Sequence, residues 1–363
     1  METRTIRSVL WGALAIAWGL TIGGQAAVAG DPLKVGFVYV GPVGDHGWTY
    51  RHDQGRKAVE AALGDRVKTT FVENVKEGAD AERVIQKLAA SGHKLIFTTS
   101  FGFMNPTIKV AKRFPDVKFE HATGYKRAPN VSTYAARFYE GRTVAGVIAA
   151  KMTKSNVIGY IGSFPIPEVV RGINAFTIAL RRINPAAVVK VIWVNTWYDP
   201  GKESAAAKAL LDQGADILMQ HTDSPAGIQI ASERGVWAVG QSSDMTRFGP
   251  KVHLTAIVDD WDGYYISRVK AVLDGTWKSQ DTWGGLKAGM LKLAPYNPAI
   301  PADVVALAEK TRKAIEAGAL HSFQGPIRDQ SGKLVVPEGK TLDDGALLSM
   351  NWYVEGVQGK LPK

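Results

Sequence analysis

The chain has 363 residues and no cysteine, and 44 Lys and Arg against 34 Asp and Glu give it a formal charge of +10. A chain without cysteine has no disulfide framework, no thiolate metal site and no cysteine nucleophile. Its basic residues stand singly among acids, with no Lys/Arg run or basic-aromatic stripe, which argues against a nucleic-acid-binding face.

Residues 1–29 read as a signal peptide. Arg4 and Arg7 make a basic start, Val9 to Ile22 is almost wholly apolar, and Ala27-Val28-Ala29 offers an A-x-A cleavage site. No later stretch is long and apolar enough to span a bilayer, and no cysteine could carry a lipid anchor. An exported protein of the periplasm is therefore expected. The remaining length exceeds what one hydrophobic core usually serves, so two lobes are expected.

From Leu33 the pattern is apolar strand, turn, amphipathic helix, repeated. Leu33 to Val40 reads as strand, Arg56 to Leu63 as helix, Val67 to Glu73 as strand and Ala79 to Ser91 as helix. Leu95 to Thr98, Val117 to His121 and Val131 to Tyr134 continue the strands, and Gly141 to Met152 is a helix with small residues on one side. The series then restarts with strand Val157 to Ile161, helix Ile166 to Ile183, strand Val188 to Val194 and helix Gly201 to Gln213. Ile217 to Gln220, Trp237 to Gly240 and Leu254 to Val258 read as strands, with helices Gly227 to Arg234 and Gly263 to Leu273. This is an α/β chain of two doubly wound lobes. With no free linker between them, the lobes are expected to be joined by several crossings. The expected division is 30–152 plus about 258–295 for the N-terminal lobe and 153–257 plus about 296–363 for the C-terminal lobe.

Two tryptophans follow strands: Trp48 in Gly44-Asp45-His46-Gly47-Trp48, and Trp197 in Trp193 to Pro200. Ligands of open α/β sheets bind just beyond the strand ends, so two large rings there suggest a clamp for a flat ligand. A single tryptophan is more often plain core; two in matching positions tilt the reading toward a clamp. Asp45, Asp223 and Asp244 also follow successive strands and can accept N–H groups of a ligand, although each alone could be a turn or cap residue.

Catalytic patterns are wanting. Gly159-Tyr160-Ile161-Gly162 lacks the full dinucleotide fingerprint, and Gly201-Lys202-Glu203-Ser204 lacks the spacing of a phosphate loop. The seven histidines form no H-x-x-x-H or H-E-x-x-H pair, and there is no G-x-S-x-G elbow. Asp259 and Asp260 are adjacent on a strand and face opposite ways. No catalytic residue, metal or cofactor is expected.

With Asp45-x-x-Trp48 after the first strand, Val194 to Lys202 as strand-aromatic-x-Asp-Pro-x-Lys, and the Ser242-Ser243-Asp244 turn, the mature chain resembles the basic membrane protein family of ABC-transporter substrate-binding proteins. The resemblance implies a type I periplasmic-binding-protein fold whose lobes close on a ligand around three crossovers, and a membrane permease as partner. Its purine nucleoside branch stacks the base between two aromatics and holds the ribose with Asp and Lys. Carried over, Trp48 and Trp197 are the stacking faces, Asp45 or Asp223 reads the base edge, and Asp244 falls where ribose hydroxyls are held. The branch's Val-Lys-Arg-Val-Asp run is replaced by Ile257-Val258-Asp259-Asp260-Trp261, and its Ser-Phe-Asn by Gly47-Trp48-Thr49. Loss of the lysine and added bulk at Asp259 and Trp261 favour a bare nucleobase, adenine above others, a preference that Phe164-Pro165-Ile166-Pro167-Glu168 also supports by likeness. A purine nucleoside or a riboflavin-like ring is the rival ligand, and an exported nucleoside hydrolase the rival of another class. A monomer is expected, since a clamp needs both lobes free to move.

Overall fold

The computed structural model describes residues 1–2 and 31–362. The chain divides into a short N-terminal unit, Met1–Asp31, and one compact unit, Pro32–Lys363. Beyond its first two residues, the expected signal peptide lies outside the described residues.

The compact unit contains two main sheets. The first has six strands in the order Asp281–Gly284, Val131–Ala136, Lys118–Ala122, Leu95–Thr98, Leu33–Val38, Val67–Val72, all parallel. The second has seven, in the order Leu291–Leu293, His253–Asp259, Trp237–Ser242, Ile217–His221, Val157–Gly162, Val188–Trp193, Val357–Gln358. There only the Leu291–Leu293 pairing is antiparallel. Parallel strands covered by helices on both faces are buried on both, hence the continuous apolar runs in the sequence. Val35, Phe37, Leu95 and Phe97 in the first sheet, and Ile158, Tyr160, Ile217 and Met219 in the second, are fully buried.

The chain passes between the sheets three times: from Ala136 to Val157, from Asp259 to Asp281, and from Gly284 to Leu291. Leu291–Leu293 therefore joins the second sheet a few residues ahead of the return expected near 295. On the first passage, helix Phe138–Met152 packs against helix Pro167–Ile183. The small residues of the first helix serve this contact: a Cβ on Gly146 would lie 2.4 Å from the Phe176 carbonyl oxygen. On the second, helix Asp262–Leu273 packs on helix Gly47–Leu63.

Most elements fall within a few residues of their expected bounds, with instructive exceptions. Helix Gly47–Leu63 begins nine residues before the expected Arg56, because its first half buries His52 and Asp53 rather than an apolar stripe. His52 stacks on Trp261 at 4.9 Å and Asp53 pairs with Arg56 at 2.7 Å, so polar residues occupy positions where periodicity looks for apolar ones. Helices Met104–Arg113 and Ala302–Glu316 were not expected from the pattern. The Gly159–Gly162 stretch lies within a strand, so it forms no phosphate-binding turn.

Candidate functional site

The carboxyl ends of both sheets meet at one cavity. From the first sheet come Val40 beyond strand Leu33–Val38, Ser100 and Phe101 beyond Leu95–Thr98, and Thr123 beyond Lys118–Ala122. From the second come Glu168 beyond Val157–Gly162, Trp197 beyond Val188–Trp193, Asp223 beyond Ile217–His221, and His221 and Gln241 at strand ends. Trp48, in the first turn of its helix, completes the lining. The cavity encloses about 340 Å³ of space, part of it open to solvent. Thr123, Asn195 and Ser242, at three of these strand ends, hold positive φ angles of 61°, 52° and 60°. Such conformations cost free energy for residues with a side chain and cluster where binding sites are built.

Of the six residues expected in the site, the structure brings Trp48, Trp197 and Asp223 to this cavity. The indole N–H of Trp48 donates to the Thr99 carbonyl at 2.6 Å, and its ring meets His52 and Trp261 edge-on at 4.2 and 5.7 Å. Trp48 is thus both cavity wall and part of the first lobe's packing. Trp197 is held more lightly: its indole N–H donates across the cleft to Glu77 at 3.3 Å, and its ring lies 5.1 Å from Phe164. Glu77 also accepts from the Ser100 hydroxyl at 2.5 Å and the Gly102 N–H at 3.0 Å.

Asp223 keeps part of its surface open to the cavity, yet the surrounding protein raises its pKa well above the ordinary carboxylate range. Burial is the main cause; Glu203 and Asp259 repel the charge further, and the Trp48 backbone N–H opposes the shift. Glu203, buried behind it, accepts from the backbone N–H groups of Asp199 and Ser224 at 3.0 and 3.2 Å, and burial pushes its pKa up to about 7. Asp223 is therefore suited to hold its proton and to present a donor and an acceptor side by side.

The other three acids lie outside the cavity lining. Asp45 is 61% exposed and pairs with His46 at 2.7 Å and with Arg247. These partners hold its carboxyl at a pKa of about 2, the Arg247 hydrogen bond being the larger cause. Asp244 is exposed and accepts from the Thr246 N–H and hydroxyl at 2.9 and 2.6 Å, a local turn bond. Asp259 is fully buried, accepts the Trp261 indole N–H at 2.6 Å, and is raised to about 7 by burial. Trp261 is fully buried too, so the bulk expected to close the site belongs to the core. The Asp-Pro-Gly-Lys stretch has a structural role here. Asp199 caps helix Pro200–Asp212 by accepting from the Lys202 N–H at 3.0 Å.

Phe101, Thr123, His221 and Gln241 carried no signal in the sequence, since isolated residues at strand ends show no spacing. Gln241 is oriented by Arg142, fully buried, which donates to its side-chain oxygen. His221 is held neutral by burial, which lowers its pKa. Among the described residues there is no cluster able to hold a metal ion, and no helix is long and apolar enough to cross a membrane.

The geometry of two α/β lobes around one cleft has counterparts in solved structures. A solute-binding protein of an ABC transporter system from Aeropyrum pernix K1 superposes with a TM-score of 0.69 at 20% identity, covering 87% of this chain and 95% of that one. A second, from Conexibacter woesei DSM 14684, gives 0.63 at 23% identity over 80% and 98%. In sequence, the chain is 61% identical over 350 residues to a purine-binding protein of Brucella abortus (strain 2308), covering 96% of this chain and 99% of that one. It is 36% identical over 342 residues to a Haloferax volcanii protein provisionally named an ABC transporter glucose-binding protein, over 94% and 84%. The family model described as Bmp, ABC transporter substrate-binding protein PnrA-like, matches residues 33–319. The chain belongs to this family of ABC transporter substrate-binding proteins.

Proposed function

We propose that the protein captures a purine nucleobase, adenine above others, between Trp48 and Trp197 in the periplasm and delivers it to a membrane permease, without catalysing a reaction. The observation that carries this reading is that two tryptophans and one carboxyl with a raised pKa line a single narrow cavity at the carboxyl ends of both sheets. Base stacking on an aromatic face contributes about 1–3 kcal/mol. A protonated Asp223 offers an O–H donor beside a carbonyl acceptor, matching a ring nitrogen beside an amino N–H, as on adenine. The 61% identity to a purine-binding protein over nearly the whole chain supports the same ligand class.

The test is a thermal-shift and calorimetric screen of residues 30–363, refolded to strip carried-over ligand. Adenine, hypoxanthine, guanine, adenosine, riboflavin and glucose are the ligands. A ligand at a hundred times its dissociation constant adds about 2.7 kcal/mol to stability. Adenine is expected to give the largest shift. A shift with glucose or riboflavin alone would overturn the purine reading, and free base accumulating from adenosine would restore the hydrolase.

A further inference from the structure

Glu168 is the second residue of helix Pro167–Ile183 and only 8% exposed, yet its carboxyl group lacks a well-formed side-chain partner. One oxygen lies 3.6 Å from His221 Nε2, and the other 3.8 Å from Arg171, with no hydrogen-bond partner of its own. An acid in a first turn complements the helix dipole, and Arg171 three residues on is the natural neighbour for a closed ion pair. The guanidinium is engaged elsewhere: it donates toward the Leu347 carbonyl at 3.4 Å and lies 4.8 Å from the Trp283 ring. A buried acceptor left without a donor is costly, and its persistence points to a donor arriving from outside the chain.

Glu168 also stands at a junction. It lines the cavity of Trp48 and Trp197, and with Phe101 and Thr123 it also lines a larger chamber, about 1410 Å³ including space open to solvent, that reaches Arg171 and Trp283. A ring held between the tryptophans therefore has one edge near Glu168, with the chamber beyond it.

We infer that Glu168 accepts the imidazole N–H of a free purine base and so rejects ligands substituted at that nitrogen. The inference rests on the purine reading above and assigns its base-against-nucleoside selectivity to one residue. In a free base the ring nitrogen carries a proton for the carboxylate. In a nucleoside the same nitrogen bears the sugar carbon, and Glu168 stays buried and unpaired. A site built around a ligand N–H discriminates strongly against the analogue that lacks it. His221 and Arg171 are positioning residues, set at distances that hold the carboxyl group without filling its acceptor sites.

The experiment compares adenine with 9-methyladenine by calorimetry, on the wild type and on Glu168→Gln. The two ligands differ by one methyl group and by the N–H in question. The wild type is expected to prefer adenine at least about thirtyfold. Glu168→Gln is expected to weaken adenine about tenfold, leave 9-methyladenine nearly unchanged and melt close to the wild type. Equal wild-type affinity for the two ligands overturns the inference, as does an equal loss of both in Glu168→Gln; the purine reading survives either result. Wild-type silence toward both ligands removes the purine reading and this inference with it. The wild-type comparison needs no variant, so a folding defect in Glu168→Gln would leave it intact.

Discussion

The backbone N–H of Asp223 donates to the carbonyl oxygen of Trp197 at 3.0 Å, so the acid and the ring that meet at the cavity belong to two bonded loops. Across the cleft, a Cβ on Gly47 would stand 2.6 Å from the Asp223 carbonyl oxygen, and the Gly47 N–H donates to the Ser243 hydroxyl at 2.8 Å. The start of the Trp48 helix thus abuts the second lobe at the residue that anchors Trp197. The same residues therefore form the contact between the lobes and the wall of the cavity.

The two tryptophans are expected to respond differently to truncation. Trp197→Ala should weaken adenine binding at least tenfold and barely change the melting temperature of the unliganded protein, since its ring touches mainly Phe164 and Glu77. Trp48→Ala should weaken binding and also destabilise the fold by about 2–3 kcal/mol, because the ring packs on His52, Trp261 and Phe138. Calorimetry with parallel melting curves checks both. Unchanged affinity in Trp197→Ala would remove it from the clamp.

Asp223 is expected to make binding depend on pH. Its raised pKa favours the protonated carboxyl to higher pH than in an ordinary aspartate, with Glu203 and Asp259 as the acidic neighbours that reinforce burial. Adenine affinity should fall as pH rises and the proton is lost, at a higher pH than an ordinary aspartate would titrate. Asp223→Asn keeps a donor and an acceptor without titrating, so its affinity should be flat over the same range. A wild-type profile as flat as that of the variant would count against a protonated Asp223.

Asp259 should appear in stability rather than in binding. Its pKa rises from 3.8 to about 7 on folding, chiefly by burial. The native state therefore holds this proton more tightly, and stability declines as pH rises from about 4 to about 7 and is then level. Asp259→Asn should melt a few degrees above the wild type at pH 8.5 and near it at pH 4.5, with adenine affinity little changed. A variant that melts below the wild type at both pH values would refute this reading of the buried acid.

The Asp45–Arg247 pair joins the loop before the Trp48 helix to the turn after strand Trp237–Ser242, at the exposed rim. Exposed pairs contribute little, so Arg247→Ala should weaken adenine by about threefold or less. The loss should appear mainly in a faster release rate measured by stopped flow and vanish at high salt. Gly47→Ala tests the same contact at its tightest point. It should reduce affinity more strongly, because the added methyl group meets backbone rather than a mobile side chain.

The alternation of apolar strand and amphipathic helix, the restart near Val157 and the tryptophans beyond Val38 and Trp193 were legible in the chain by itself, because each rests on local periodicity or residue type. The family resemblance drew on the same local signals at Asp45-x-x-Trp48 and Asp199-Pro200. Only the tertiary structure decided which acids face the cavity. Asp45, Asp223 and Asp244 look alike in sequence, each an aspartate after a strand; two are taken up by Arg247 and Thr246 at the surface, and one is enclosed beside Trp48. The same holds for Trp261, which no local pattern distinguishes from a clamp residue and which stacks on His52 in the core. Strand ends from two sheets converge through pairings between residues far apart in the chain. Glu168, His221 and Gln241 of the second sheet meet Trp48, Phe101 and Thr123 of the first lobe only when both lobes are folded, and no spacing along the sequence records that meeting.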